Sequence, residues 1–156
     1  MQAIDFKDQE QLNTLLSEEF SDWSKPLLIT QEMINDFAEV SGDRLWIHID
    51  PQKCEKYSPF KSTIAHGLLL LSVLSQLNTG SDISKQIGGY QQIMNYGSDK
   101  LRFMSPVPVK SEIHARSRVV DISVQERKTT ATLEWQIAVV GSDDLSLLYH
   151  MTLVFM

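Results

Sequence analysis

The run GLLLLSVLSQL, residues 67 to 77, constrains the fold of this chain more than any other feature. Four consecutive leucines leave an α-helix without a polar face, so other structure must cover it on nearly every side. The run is too short to cross a bilayer, which takes about 20 apolar residues, and Ser72, Ser75 and Gln76 interrupt it. In a chain of 156 residues, that much cover asks for a sheet curled around a central helix.

The second half of the chain supplies the sheet. In TTATLEWQIAVV, Thr129, Ala131, Leu133, Trp135, Ile137 and Val139 share one face, and Thr130, Thr132, Glu134 and Gln136 the other. EIHARSRVVDI and LSLLYHMTLVFM read as two more strands, the first with His114, Arg116 and Arg118 on one side. SDKLRFMSPVPV adds a fourth, ended by its two prolines. The intervening QERK and GSDD are short and polar, as antiparallel hairpins require. Helices first and a run of long antiparallel strands afterwards predict an α+β fold.

The first half reads as helices around one brief strand. Residues 8 to 18 suit a short surface helix with Leu12, Leu15 and Leu16 on one side, and KPLLIT suits an edge strand. In TQEMINDFAEVSG, Met33, Ile34, Phe37, Ala38 and Val40 recur at helical spacing, with Thr30 placed to cap the start and Gly42 the stop. PQKCEKYSP predicts a short helical or irregular excursion. No repeat or low-complexity tract divides the chain, so residues 1 to 156 are expected to form one domain with residues 1–22 as an N-terminal extension.

Composition narrows the functions. A net charge of −6 argues against a nucleic-acid surface and against a polybasic membrane anchor. A single Cys54 makes no internal disulfide, and its expected state is a small buried thiol. The first residues carry no basic segment followed by an apolar run, so a soluble, cytoplasmic protein is expected.

The chemistry concentrates in SGDRLWIHIDP, residues 41 to 51. Asp43 stands just past a predicted helix end and His48 five positions on, with Leu45, Trp46 and Ile47 between them. A carboxylate and an imidazole among apolar residues are costly unless they pair or do chemistry. Two duller roles remain open: Asp43 satisfying backbone N–H groups after the helix, and His48 as a hydrogen-bonded strand histidine. His66 reads as a structural residue bonding across the helix entrance. His48 and Asp50, taken to share a strand face, form with His66 a conceivable ligand set, but the spacing matches no metal motif and no metal is expected. His114 and His150 read as ordinary strand residues.

The order ITQEMINDFAEVSGDRLWIHIDP, SPFKSTIAHGLLLLSVLSQL, NYGSDKLRFMSPVPVKSEIHARSRV resembles the MaoC-like hydratases, the (R)-specific enoyl-CoA hydratases. The Trp before Ile-His, together with NYGSDKLRF, is similar to the branch of nodulation protein N and bacterial 3-hydroxyacyl-thioester dehydratases. The resemblance implies a hot-dog fold, a long central helix wrapped by an antiparallel sheet. It implies reversible hydration of trans-2-enoyl thioesters to (R)-3-hydroxyacyl thioesters, with Asp43 and His48 as the catalytic pair. It further implies an oxyanion role for the backbone N–H of Gly67 and a substrate-positioning role for Ser75. The commonest pattern of the family has Asn-Pro where this chain has Leu45-Trp46, which bears on the acyl pocket and draws Trp46 into substrate positioning.

Phe60 is a further positioning candidate, Phe103 and Met104 are candidate tunnel walls, and Lys61, Lys100 and Arg102 are candidate contacts for coenzyme A or carrier phosphates. The expected partners are an acyl-CoA or acyl carrier protein thioester and a second copy in a homodimer, with no nucleic acid and no membrane. No cofactor is expected beyond the coenzyme A or phosphopantetheine of the substrate. Two alternatives stand beside hydration: an acyl-CoA thioesterase on the same scaffold, and a non-catalytic acyl-thioester binder.

Overall fold

A computed structural model describes residues 3–80 and 82–156. In chain order the elements are β1 (Ile4–Asp5), α1 (Gln9–Leu12), β2 (Leu27–Leu28), α2 (Gln31–Ser41), α3 (Trp46–Ile49), α4 (Pro51–Tyr57), α5 (Gly67–Ser72), α6 (Ile83–Gln86), β3 (Ile87–Gly88), β4 (Ile93–Phe103), β5 (Glu112–Val124), β6 (Thr129–Val139) and β7 (Leu145–Phe155). Five strands form one antiparallel sheet in the order β2-β5-β6-β7-β4, and β1 and β3 make a small parallel pair. The predicted hairpins join β5 to β6 and β6 to β7. Among the described residues no helix is long and apolar enough to cross a membrane.

The leucine run does take the centre, but the helix is short. α5 ends at Ser72 and Val73–Gln76 continue as a 3-10 turn. The hydroxyl of Ser72 donates to the carbonyl of Leu68 at 2.7 Å, a local bond that competes with the regular ladder, and a β-branched Val73 follows. Leu69, Leu70, Val73 and Leu77 are buried against Ile113, Ala115, Ile137, Leu147 and Tyr149 of the sheet. Each such side chain contributes about 1.5–3 kcal/mol of transfer free energy. Cover is not complete: Leu68 is 54% exposed, and Ser72, Ser75 and Gln76 share its open side. A second cluster, with Leu12, Ile83, Ile87, Val119, Leu133 and Phe155, fills the far half of the sheet, and Trp135 and Met151 touch both clusters.

α2 forms as its caps dictate. Thr30 accepts a hydrogen bond from the Met33 N–H at 3.2 Å, and Gly42 ends the helix at φ 79° with its N–H on Ala38 O. Ile34 and Ala38 are buried and Met33 and Phe37 pack on the core, whereas Val40, read as part of that face, is 84% exposed. The sheet's two edges differ. Beyond β2, residues 17–24 run beside β5, the N–H groups of Ser17, Ser21 and Ser24 donating to Val119, Ser117 and Ala115 carbonyls. Among the described residues, β4 at the other edge pairs only with β7. Exposed Met94 and Tyr96 lie along β4, and exposed Phe103 and Met104 lie at its end.

The outer sheet face is more ordered than its polar residues suggest. Arg118 holds Glu134 at 2.7 Å and Arg116 holds Gln136 at 2.9 Å. Phe20 and Trp23 lie over these guanidinium groups, and Trp23 stacks on His114 at 3.9 Å. His114 therefore carries part of the N-terminal packing.

Candidate functional site

Three short elements converge where α2 ends. Gly42 turns the chain, and Asp43 follows with its N–H on the Ser41 hydroxyl at 3.2 Å. The Asp43 carboxylate is exposed and accepts a long bond, 3.3 Å, from the Leu45 N–H. Arg44 forks onto Glu39 with bonds of 2.9 and 2.7 Å, so its charge is engaged away from Asp43.

His48 lies on α3, not on a strand. LWIHIDP carries strand-like residues, but Asp50 caps α4, accepting from the Lys53 N–H at 2.9 Å with Pro51 at the first helical position. That geometry folds the segment into two helical turns, and it removes the strand face that His48 and Asp50 were expected to share. The His48 ring is buried, with Nδ1 2.7 Å from the carbonyl oxygen of Ile64. A carbonyl only accepts, so Nδ1 carries the proton and Nε2 of the neutral ring keeps its lone pair.

His66, read as structural, enters the site itself. It is 3% exposed, its ring stacks on that of His48 at 3.8 Å and 25°, and Phe37 flanks it at 5.0 Å. Nε2 donates to the Asp43 carbonyl at 2.9 Å, and Nδ1 has no hydrogen-bond partner among the described residues. Burial holds the pKa of His66 below the usual imidazole value, against an opposing bond from the Asp43 backbone. One ligand atom each from Asp43, His48 and His66 lie within 4.8 Å of one another.

Gln31 was missed by sequence reading. Its Nε2 donates to the His48 carbonyl at 2.8 Å, and its Oε1 accepts from the buried Thr63 hydroxyl. One amide thus ties α2, α3 and the 63–65 segment together. The only sequence cue is a polar residue in the first turn of an amphipathic helix, which is commonplace.

The other candidates scatter. Gly67 follows His66 and opens α5, where the His66 side chain provides no cap. A Cβ at Gly67 would stand 2.7 Å from the Phe103 ring, so the glycine admits a close aromatic neighbour from the end of β4. Ser75 lies eight residues further along, roughly 12 Å at helical rise. It lines a cavity of about 310 Å³ between the helix end and the sheet, with Leu74, Leu133, Trp135, Met151 and Leu153. Trp46 packs beneath the Lys53 ammonium at 5.0 Å, and Phe60 is half-exposed in the following loop.

Lys61 lines a separate shallow cleft with Gln31, Glu55 and Lys110. Lys100 and Arg102 pair with His150 and Leu148, on the face of β4 opposite Leu101 and Phe103. The three cations are therefore not gathered by one chain. The Cys54 thiol is buried beneath the Trp46 and Ile47 carbonyls, and burial pushes its pKa up, which makes it inert.

Residues 16–139 match the family model described as MaoC like domain. The chain belongs to the MaoC-like dehydratase family. It is 40% identical over 123 residues to 3-hydroxyacyl-thioester dehydratase Z of Mycobacterium tuberculosis, covering 78% of this chain and 77% of that one. It is 38% identical over 111 residues to Nodulation protein N of Rhizobium meliloti, covering 70% and 66%. An (R)-hydratase from A. caviae involved in PHA biosynthesis superposes with a TM-score of 0.67 at 26% identity, covering 88% of this MaoC-like chain and 96% of that one. The architecture is the hot-dog fold the sequence resemblance implied: a curled antiparallel sheet around α5.

Proposed function

We propose that this MaoC-like protein is a hydro-lyase that adds water reversibly across trans-2-enoyl thioesters to give (R)-3-hydroxyacyl thioesters. The convergence of Asp43 and His48 within 4.8 Å, next to the opening of α5, carries the reading. One water hydrogen-bonds to the Asp43 carboxylate and to Nε2 of His48. As its oxygen attacks C3, the pair takes the departing proton, and the thioester carbonyl becomes an enolate. The Gly67 N–H, at the positive end of α5, stabilises that oxygen, a contribution of about 3 kcal/mol for one well-aimed donor. The protonated pair then delivers a proton to C2. Dehydration runs the same steps backwards, with Asp43 and His48 acting as one coupled acid–base unit.

The cavity lined by Ser75 and Trp135 is the favoured place for the acyl chain. At about 310 Å³ it lies at the small end of ligand pockets. The reaction draws on no resident metal or redox group, and coenzyme A or phosphopantetheine enters as part of the substrate. A second copy pairing along β4 would cover an edge strand lined with exposed apolar residues, and it would bring a neighbour close to Phe103 and Gly67. A cytoplasmic setting agrees with the lone buried thiol.

The test follows enoyl-thioester absorbance with short, medium and long substrates on both coenzyme A and acyl carrier protein. Loss of absorbance without release of free thiol supports hydration. Thiol release from saturated acyl-CoA, or binding without turnover, would overturn it.

A further inference from the structure

The cluster of Asp43, His48 and His66 has more donors than a water-activating pair needs. Both histidines are anchored through one ring nitrogen, Nδ1 of His48 on Ile64 O and Nε2 of His66 on Asp43 O. A backbone carbonyl behind each imidazole is the arrangement that orients metal-ligating histidines and fixes the free lone pair. The remaining nitrogen of His66 is buried and has no hydrogen-bond partner among the described residues, and the two imidazoles are stacked face to face. Asp43 adds an exposed, movable carboxylate.

We propose that these three side chains also form a binding site for a zinc-class divalent ion. Two imidazoles and one carboxylate are a donor set that borderline ions such as Zn²⁺ favour, with a fourth position left for water. Tetrahedral zinc at about 2.0–2.1 Å from each ligand places ligand atoms about 3.3 Å apart. One ligand atom of each group lies within 4.8 Å of the others, so a rotamer change at Asp43 and a tilt of the two rings out of their parallel stack complete the site. The bound ion occupies the space of the attacking water and withdraws both members of the acid–base pair from proton transfer. That inhibitory effect rests on the hydration reading, whereas the metal site does not.

The experiment titrates the intact protein with Zn²⁺ against a chromophoric chelator and, separately, with Co²⁺ followed by its visible absorption. One ion per chain is expected, with affinity reduced by at least ~10–100-fold, the loss that even an outer-shell partner costs, in Asp43→Asn and in His66→Gln. Cys54→Ser, His114→Ala and His150→Ala should bind as the parent does. Asp43 is exposed, so Asp43→Asn keeps the test decisive should His66→Gln fail to fold. Zinc should also inhibit hydration competitively with enoyl thioester, reversibly on adding EDTA. No saturable binding at millimolar zinc, or binding unaffected by Asp43→Asn, His48→Gln and His66→Gln, overturns the site. Site-specific zinc binding by a protein without hydration activity would uphold the site and count against the catalytic reading instead.

Discussion

In the proposed mechanism His48 depends on groups that do no chemistry. Ile64 O fixes its tautomer, and Gln31 holds the carbonyl of its own residue, so the imidazole is held in one orientation. Gln31→Ala removes both anchors of that amide. It should lower stability by about 1–2 kcal/mol in urea unfolding and cut turnover several-fold through a looser His48. Unchanged turnover would mean that α3 positions the ring unaided. At Gly67 two explanations compete, and a pair of variants separates them. Gly67→Ala meets the Phe103 ring at 2.7 Å. If the glycine serves mainly to admit a thioester oxygen, Gly67→Ala should lose at least ~10-fold in activity, and a second change, Phe103→Ala, should not restore it. Recovery in the double variant would assign Gly67 to packing alone.

At the scale of elements, the strands and α2 were legible because their patterns are long: β6 alternates over eleven residues, and α2 has a cap at each end. α3 was not. Its four residues offer no periodicity, and Ile47 and Ile49 favour strands, so only the turn chemistry of Asp50-Pro51 marks it as helical. His66 likewise joined the cluster only through its stack on His48 and its bond to the Asp43 carbonyl, contacts that no local sequence pattern connects. The leucine run foretold the central position of α5 but not its change to a 3-10 turn at Val73, which follows from the Ser72 back-bond. The free β4 edge gives a prediction of its own. Met94→Lys with Tyr96→Lys places charge along the one long edge strand left open among the described residues, and it should shift a dimer to monomer in analytical ultracentrifugation. An unchanged sedimentation coefficient would move the interface elsewhere.

For the whole molecule, acid is the informative stress. His66 and His114 both have pKa values held below the usual 6.5, chiefly by burial. Below that value the unfolded chain binds protons that the native one refuses, so stability is complete above about pH 6.5 and falls as pH drops. Glu134 adds to the loss further down: burial raises its pKa, but the Arg118 bond and charge outweigh this and leave it below 4.5. Urea midpoints should therefore decline from pH 7.5 to 6 to 5, and a midpoint that rises at pH 5 would contradict these assignments. The most direct test of the account is crotonyl-CoA hydration by the parent protein, Asp43→Asn and His48→Ala, read beside their melting temperatures. Each substitution should cut turnover by a factor of ~100 or more while the fold persists, and near-normal hydration by either variant would show that Asp43 and His48 do not share an activated water.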